Sequence, residues 1–362
     1  MKKILHLVIY IPLLMLTNCD VHEWPELPEK VQINLKLNYE TTFTEWEHKY
    51  EDRKTQEIGT GNSYDNHLAE GKIRYIIRAF PINRKNRTST RSHNHEFIFH
   101  RDIAEGYNCE FLLDLLPGDY DIKVWSDLTE QESQPPYYDA SDFIGIVLSG
   151  EHKGNCDYRD AFRGSTGVSL VAEYTEKEPQ QVNITMQRPL AKFELITTDL
   201  KKFVDDELAY LAKIAATRGD APPTRVNIDK YKVKFILHNM ANEYYLDADK
   251  PIDTSKYDVI FESKLNILGE EEASLGFDYI FVNGQDSRTE VQIGLYDDTG
   301  REIASTENIL VPIRRSHHTK LKGTFLTQKT SGGIRIESDF NGNHNYIYGD
   351  EGTDYEKNEN EK

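Results

Sequence analysis

From Val31 onward the chain repeats one pattern, a short run of alternating apolar and polar residues closed by a turn signal, and no other feature limits the fold as much. In VQINLKLNY, Val31, Ile33, Leu35 and Leu37 alternate with Gln32, Asn34 and Lys36, the two-residue period of a strand with one buried face. IRYIIRAFPI, HEFIFHRDI and CEFLLDLLPGDYDIKVWSD continue the pattern. In the last of these, Pro117-Gly118-Asp119 is a turn signal ahead of alternating Tyr120, Ile122 and Val124. YYDASDFIGIVLSG, VSLVAEY and VNITMQRPLAKFELITTDL follow, and Pro189 interrupts the last, since proline inside a strand run marks a break between elements. Beyond it come YKVKFILHNM, KYDVIFESKL, FDYIFVNG, EVQIGLYDDTG, REIASTENILVPI, HTKLKGTFLT and GGIRIESDF, with Asp298-Thr299-Gly300 as a hairpin loop. Many short strands joined by turns predict a mainly β fold of sandwich or Greek-key type.

Three stretches depart from this period. Residues 44–70 are polar and aperiodic, a loop or a long decorated hairpin. After Asp199, the residues Phe203, Val204, Leu208, Leu211 and Ala215 recur every three or four positions and Gly219 stands as a stop, which predicts one amphipathic helix packed on a sheet. From Asn341 the chain is acidic and nearly free of aliphatics, the composition of a disordered tail, 341–362. With the break at Pro189, the expected organisation is two tandem β-sandwich domains, 31–187 and 188–340, the helix belonging to the second.

The N-terminus reads as an export address. Lys2 and Lys3 precede an apolar run, Ile4 to Leu16, too short to span a bilayer as a permanent helix, and Cys19 follows at once. Residues 1–18 fit a lipoprotein signal peptide, Cys19 the lipidation site carrying acyl chains, and 19–30, with Pro25 and Pro28, an extended tether. Asn18 stands where a smaller residue is usual, and the alternative is an ordinary secretory signal with Cys19 incidental.

The chain carries 61 acidic against 43 basic side chains, a formal net charge of -18, and no basic cluster to track phosphates, so nucleic acid is excluded as a partner. The remaining cysteines, Cys109 and Cys156, stand either as a disulfide or as two buried thiols. His93 and His95 share one side of a strand and His100 the other, with no carboxylate or thiol completing a metal set. His317 and His318 point to opposite faces. The acidic pairs Asp205-Asp206, Glu270-Glu271-Glu272 and Asp297-Asp298 diverge rather than face one another across a bond. No G-x-S-x-G elbow, P-loop or H-E-x-x-H is present. The expectation is a non-enzymatic protein without cofactors. Trp24, Trp46 and Trp125, with Tyr137-Tyr138, remain candidate sugar-stacking groups, Trp125 being better suited to a core.

Four segments resemble the fimbrillin-like lipoproteins of the Bacteroidetes, which include major fimbrial subunits and fimbrial anchors. They are the signal ending CDVHEWPE, the LLPGDYDIKVWSD corner, RPLAKFELIT from Arg188 to Thr197, and VPIRRSHHTKLKGTFLT. More narrowly the chain resembles a family of lipoproteins of uncharacterised function within this group. The resemblance implies two transthyretin-like or Greek-key sandwiches and lipid attachment through Cys19 to the cell outer membrane, on the exposed side. It further implies contacts with other fimbrial subunits by β-strand addition. In its polymerising members a protease cuts after a basic residue; Arg53, Arg87 and Arg91 all lie in polar stretches, and none is marked above the others. An uncleaved, lipidated chain fits an anchor or accessory subunit. The alternative is a surface lipoprotein that captures glycans.

Overall fold

The structure is a computed structural model in which residues 30–66, 68–83, 88–89, 94–171, 178–252 and 256–328 are described. The signal peptide, Cys19, Trp24, Arg87, Arg91, His93, GGIRIESDF and the acidic tail lie outside the described residues.

The alternation in β1 (Val31–Tyr39) sorts its side chains as the pattern requires: Val31, Ile33, Leu35 and Leu37 are fully buried. β1 lies between β7 (Cys109–Leu115), antiparallel to it, and β12 (Gln180–Met186), parallel to it. Against this sheet packs another, in which β4 (Lys72–Asn83) runs between β8 (Gly118–Thr129) and β6 (His95–Asp102). β11 (Ala161–Leu170) extends it beyond β8, and β5 (Thr88–Ser89) pairs with the end of β4. Ile33, Tyr75, Leu113, Val124 and Ile184 represent the single core that both sheets close over.

A second sandwich forms around a different core. One of its sheets has the order β18 (Asn266–Ile267), β19 (Ala273–Phe281), β13 (Leu190–Thr197), β23 (His317–Gly323), β2 (Thr42–Glu51), β3 (Lys54–Asp65). The facing sheet contains β17 (Lys256–Lys264), β14 (Lys232–Ala241), β20 (Ser287–Tyr296) and β21 (Glu302–Ser305), with β22 (Ile309–Ile313) also on β20. Phe193, Leu195, Phe235, Ile293 and Leu321 fill the space between them. The helix α1 (Leu200–Arg218) adds Leu200 and Phe203 to that core and ends on Gly219, whose φ of 77° supplies the left-handed cap.

Of the two alternatives for the polar stretch 44–70, the structure shows the long hairpin, but one built into a sheet of the second sandwich. Its β2–β3 hairpin turns through Asp52 and Arg53, both at positive φ (50° and 60°), as a type I′ turn requires, and β2 pairs in parallel with β23. Trp46, His48 and Tyr50 of β2 are buried in alternation, but with charged neighbours and a histidine among them the period is faint, and β3, which carries the extra residue at both bulges, has no buried residue and no alternation to read. Strand pairing therefore crosses the position 187/188 where the sequence breaks. It does so again where β10 (Gly145–Leu148) joins β9 (Tyr138–Asp139) to β15 (Glu243–Tyr245) and β16 (Lys250–Pro251). A third core of Phe43, Trp125, Tyr138, Tyr244 and Phe281 draws on both sandwiches. Among the described residues no helix is long and apolar enough to cross a membrane.

Candidate functional site

Three of the segments that carry the sequence resemblance, those beginning at Leu115, Arg188 and Val311, contribute polar side chains at or near the place where the two sandwiches join, and several of these are buried. Arg188 is 1 % exposed and Asp160 0 %; the guanidinium holds the carboxylate through Nε to Oδ1 at 2.8 Å and Nη2 to Oδ2 at 2.9 Å. Its remaining nitrogen, Nη1, donates to the carbonyls of Glu40 and Thr42, where the chain leaves β1 for β2, and the planar group lies over Phe43 (3.8 Å) and Phe162 (4.7 Å). Lys192, four residues on, reaches Asp157 at 2.8 Å. From the LLPGDYDIKVWSD corner, Trp125 Nε1 donates to Asp127, which also receives Arg74. From VPIRRSHHTKLKGTFLT, Arg315 binds Asp249 at 2.8 Å, and Asp249 also pairs with Arg163. His318 lies between Tyr64 (Nδ1, 2.7 Å) and Glu194 (Nε2, 3.1 Å). Burial pushes the His318 imidazole below its ordinary value, keeping it neutral; burial alone would raise Glu194, but contacts from His318 and Ser274 outweigh it and hold that carboxyl down.

The pairs Arg188–Asp160, Lys192–Asp157 and Arg163–Asp249 link the two sandwiches, whereas Arg74–Asp127 lies within the first and Tyr64–His318–Glu194 within one sheet of the second. Among the described residues no group of three or more His, Cys, Asp or Glu could hold a metal ion. His95 and His100 sit on β6 with opposite parity, His95 beside Tyr120 and His100 3.9 Å from Glu132. Cys109 is a buried free thiol on β7, beside Tyr75 and Arg101, and burial pushes it up. Cys156 is a half-buried free thiol beside Tyr137, also raised by burial. Trp46 and Trp125 are 4 % and 0 % exposed, so the exposure considered for Trp46 is not found, and neither offers a stacking face to a sugar. Tyr138 is fully buried as well.

What the fold leaves open is strand edge. Just past the end of β12, Arg163 and Gln187 exchange paired 2.9 Å backbone bonds, which close that end of its outer edge. The β2–β3 pairing is interrupted by two bulges, β17 carries Asp258, Glu262 and Lys264, and on β19 Phe277 is bonded to Asn155. At the far side of the first sandwich, β6 and β7 each end a sheet, and among the described residues neither pairs on its outer side. In the seam between them Phe99 of β6 stacks on Phe111 of β7 at 4.4 Å, and on the opposite, outer faces of the same strands Ile98 and Leu112 are 52 % and 60 % exposed. Sequence periodicity identifies β6 and β7 as strands but carries no information on whether their outer hydrogen-bonding groups find partners. Asp278, alone in the apolar run of β19, was the one available signal for a buried ion pair: it binds Arg159 at 2.5 Å.

Among solved structures, similarity extends to the fimbrial anchor protein Mfa2 of Porphyromonas gingivalis, at 14% identity over 77% of this chain and 83% of that one, with a TM-score of 0.37. The tip fimbrial protein Mfa3 of the same organism is 11% identical over 77% and 81%, with a TM-score of 0.34. A candidate adhesin from Bacteroides ovatus is 8% identical over 78% and 82%, with a TM-score of 0.40. No curated protein matches the chain. Residues 26–360 match the model of DUF6562, a family of unknown function, and the chain belongs to that family.

Proposed function

We propose that this protein is a non-enzymatic, lipid-anchored subunit of a surface fibre, of anchor or accessory type, that joins neighbouring subunits by β-strand addition. The observation that carries the proposal is the β6/β7 seam, where two unpaired edges flank an apolar floor. An incoming strand there would gain main-chain hydrogen bonds from an edge and bury alternate side chains against Phe99 and Phe111. The fimbrillin-like sequence segments support the same reading, as does a signal that places Cys19 at the membrane.

The N-terminal strands favour an uncleaved form. Arg53 stands at the exposed apex of the β2–β3 turn, but the two described strands before it are both inner strands: β1 is the central strand of one sheet, and β2 lies between β23 and β3 in another. A cut at Arg53 would put two central strands at risk at once, whereas an anchor keeps its N-terminus. On this reading the protein sits at the outer membrane, held through Cys19, with its folded part on the exposed side.

The test is genetic and chemical together. Deleting the gene is expected to leave fibres detached or altered in length, and mass spectrometry of the mature protein to find acylated Cys19 as residue one of an intact chain. Unchanged fibres in number, length and attachment would sink the assignment.

A further inference from the structure

The second sandwich also has an open side, between β17 and β19. Each lies at or near the end of its sheet, and β18 covers β19 only at Ala273 and Ser274. A groove of about 420 Å³ runs between them, past Ser263 on one lip and Gly276 on the other. Left bare, β19 would be a hazard, because ASLGFDYIF is apolar, uncharged except for Asp278, and free of proline.

It is not bare. Residues 152–159, from the chain of the first sandwich, cross the seam from lip to lip. On the β17 side the His152 ring stacks on Phe261 with centroids 6.0 Å apart, and Gly154 lies so close that a Cβ would fall 2.2 Å from the same ring. On the β19 side Asn155, at φ 54°, donates its backbone N–H to the Phe277 carbonyl (2.9 Å) and accepts the Phe277 N–H on its side-chain Oδ1 (2.7 Å). One residue thus supplies both bonds that a paired strand residue would make. Two positions along, facing the same way by the alternation of the strand, the Tyr279 N–H is taken by Asp278 Oδ1 at 2.8 Å. Asp278 is in turn fixed by Arg159, 2 % exposed, at 2.5 Å and by His152 at 2.6 Å, and Asp157 accepts the Tyr279 hydroxyl at 2.7 Å.

We propose that residues 152–159 are a built-in strand surrogate that seals the edge of β19 and prevents it from pairing with β19 of a second copy of this chain. The seal stands independently of the function proposed above; with that function, it restricts strand addition to the first sandwich, leaving one acceptor seam per chain.

Amide hydrogen exchange and sedimentation on the full-length chain decide it. Asn155→Gly keeps the positive φ and the backbone donor but removes the acceptor; Phe277 amide exchange is expected to rise about tenfold in dilute protein, the order of one lost hydrogen bond. The variant is expected to dimerise as concentration rises, with Phe277 protection returning in the dimer. Asn155→Asp, which keeps an acceptor at the same φ, is expected to stay monomeric. Gly154→Val, forced off Phe261, should behave as Asn155→Gly does. Wild-type exchange at Phe277 in Asn155→Gly, a monomer at every concentration, or a dimer in which Phe277 stays unprotected would each overturn the proposal. None of these readouts involves β6 or β7, so their failure would leave the fibre-subunit assignment to its own test.

Discussion

Arg188 and Asp160 face each other 28 residues apart in sequence, with the guanidinium Nε 2.8 Å from one carboxylate oxygen and Nη2 2.9 Å from the other, both side chains sealed from water. The same guanidinium bonds the carbonyls of Glu40 and Thr42. One side chain therefore fixes the end of the first sandwich, the entry of β2 into the second, and the start of β13. An arginine so placed has a structural reason to stand at the head of RPLAKFELIT.

Removing one member of that pair leaves the other charge buried alone. Arg188→Ala is expected to lower stability by about 3–5 kcal/mol, and Arg188→Lys by less but still substantially, since an ammonium cannot make the two-pronged contact. Denaturant midpoints check it. In a double-mutant cycle with Asp160→Asn the two costs should fail to add.

Asp199 was expected to precede the helix, and it does, but without capping it. Its carboxylate accepts the backbone N–H of Leu326 (3.2 Å) and Thr327 (2.9 Å) and the Thr327 hydroxyl, pinning GTFLT beneath α1. Asp199→Ala should cost about 2 kcal/mol and speed exchange at the Leu326 and Thr327 amides, whereas the first turn of α1 should change little. A loss confined to the helix start would contradict this.

Acid should loosen the second sandwich in a defined order. Burial alone would raise Asp297, but hydrogen bonds from Thr299 and Arg301 overcome it and hold the carboxyl at about 2. Glu194 is lowered as well, and His318 is lowered by burial. All three bind protons more readily unfolded than folded, so their contribution is complete above the unfolded values, about 6.5 for histidine and about 4 for the carboxyls, and is lost as pH falls. Stability is expected to decline first below about pH 6.5 through His318 and again below about pH 4. His48 on the neighbouring strand is lowered by burial as well, so His318→Gln should shrink the first step and the double change with His48→Gln remove it, read from urea midpoints across pH.

The β2–β3 turn holds Arg53 at φ 60°, in a region that costs a side chain about 1 kcal/mol. Arg53→Gly should therefore stabilise the chain by about that amount, because the ion pair to Glu307 that it gives up is exposed and worth little. Thermal unfolding tests it, and a clear loss of stability would show the ion pair to matter more than the turn.

Leu112, 60 % exposed on β7, can take a charge without disturbing the core. Leu112→Lys should leave the unfolding midpoint within about 0.5 kcal/mol of the wild type while reducing cross-linking of β7 to a neighbouring fibre subunit. Undiminished cross-linking would move the acceptor seam elsewhere.

The strands around Val31, Cys109 and Val291 were legible because each buries one face and a period of two is visible in a single chain, and those around Ile73 and Tyr120, which bury both faces over part of their length, were legible as apolar runs bounded by turn signals. The helix was legible for the same reason at a period of 3.6, down to its stop at Gly219. A hairpin over residues 44–70 was one of two alternatives, but its strands and its partner β23 were not legible, because β3 carries two bulges and buries nothing. Arg188 and His318 lay in segments singled out by resemblance, yet their partners, Asp160, Tyr64 and Glu194, carried no mark.

The sequence by itself determined that the chain is mainly β, that its apolar faces must be packed in layers, and that one helix lies on a sheet. Those properties follow from local periodicity, which each segment carries alone. Only the tertiary structure decided which strands are neighbours: that residues 42–51 enter the second sandwich, that Asn155 bonds Phe277 of β19, and that among the described residues nothing pairs on the outer sides of β6 and β7. Backbone hydrogen-bonding groups are the same in every residue except proline, so whether an edge is paired, capped or open depends on what the rest of the chain brings beside it.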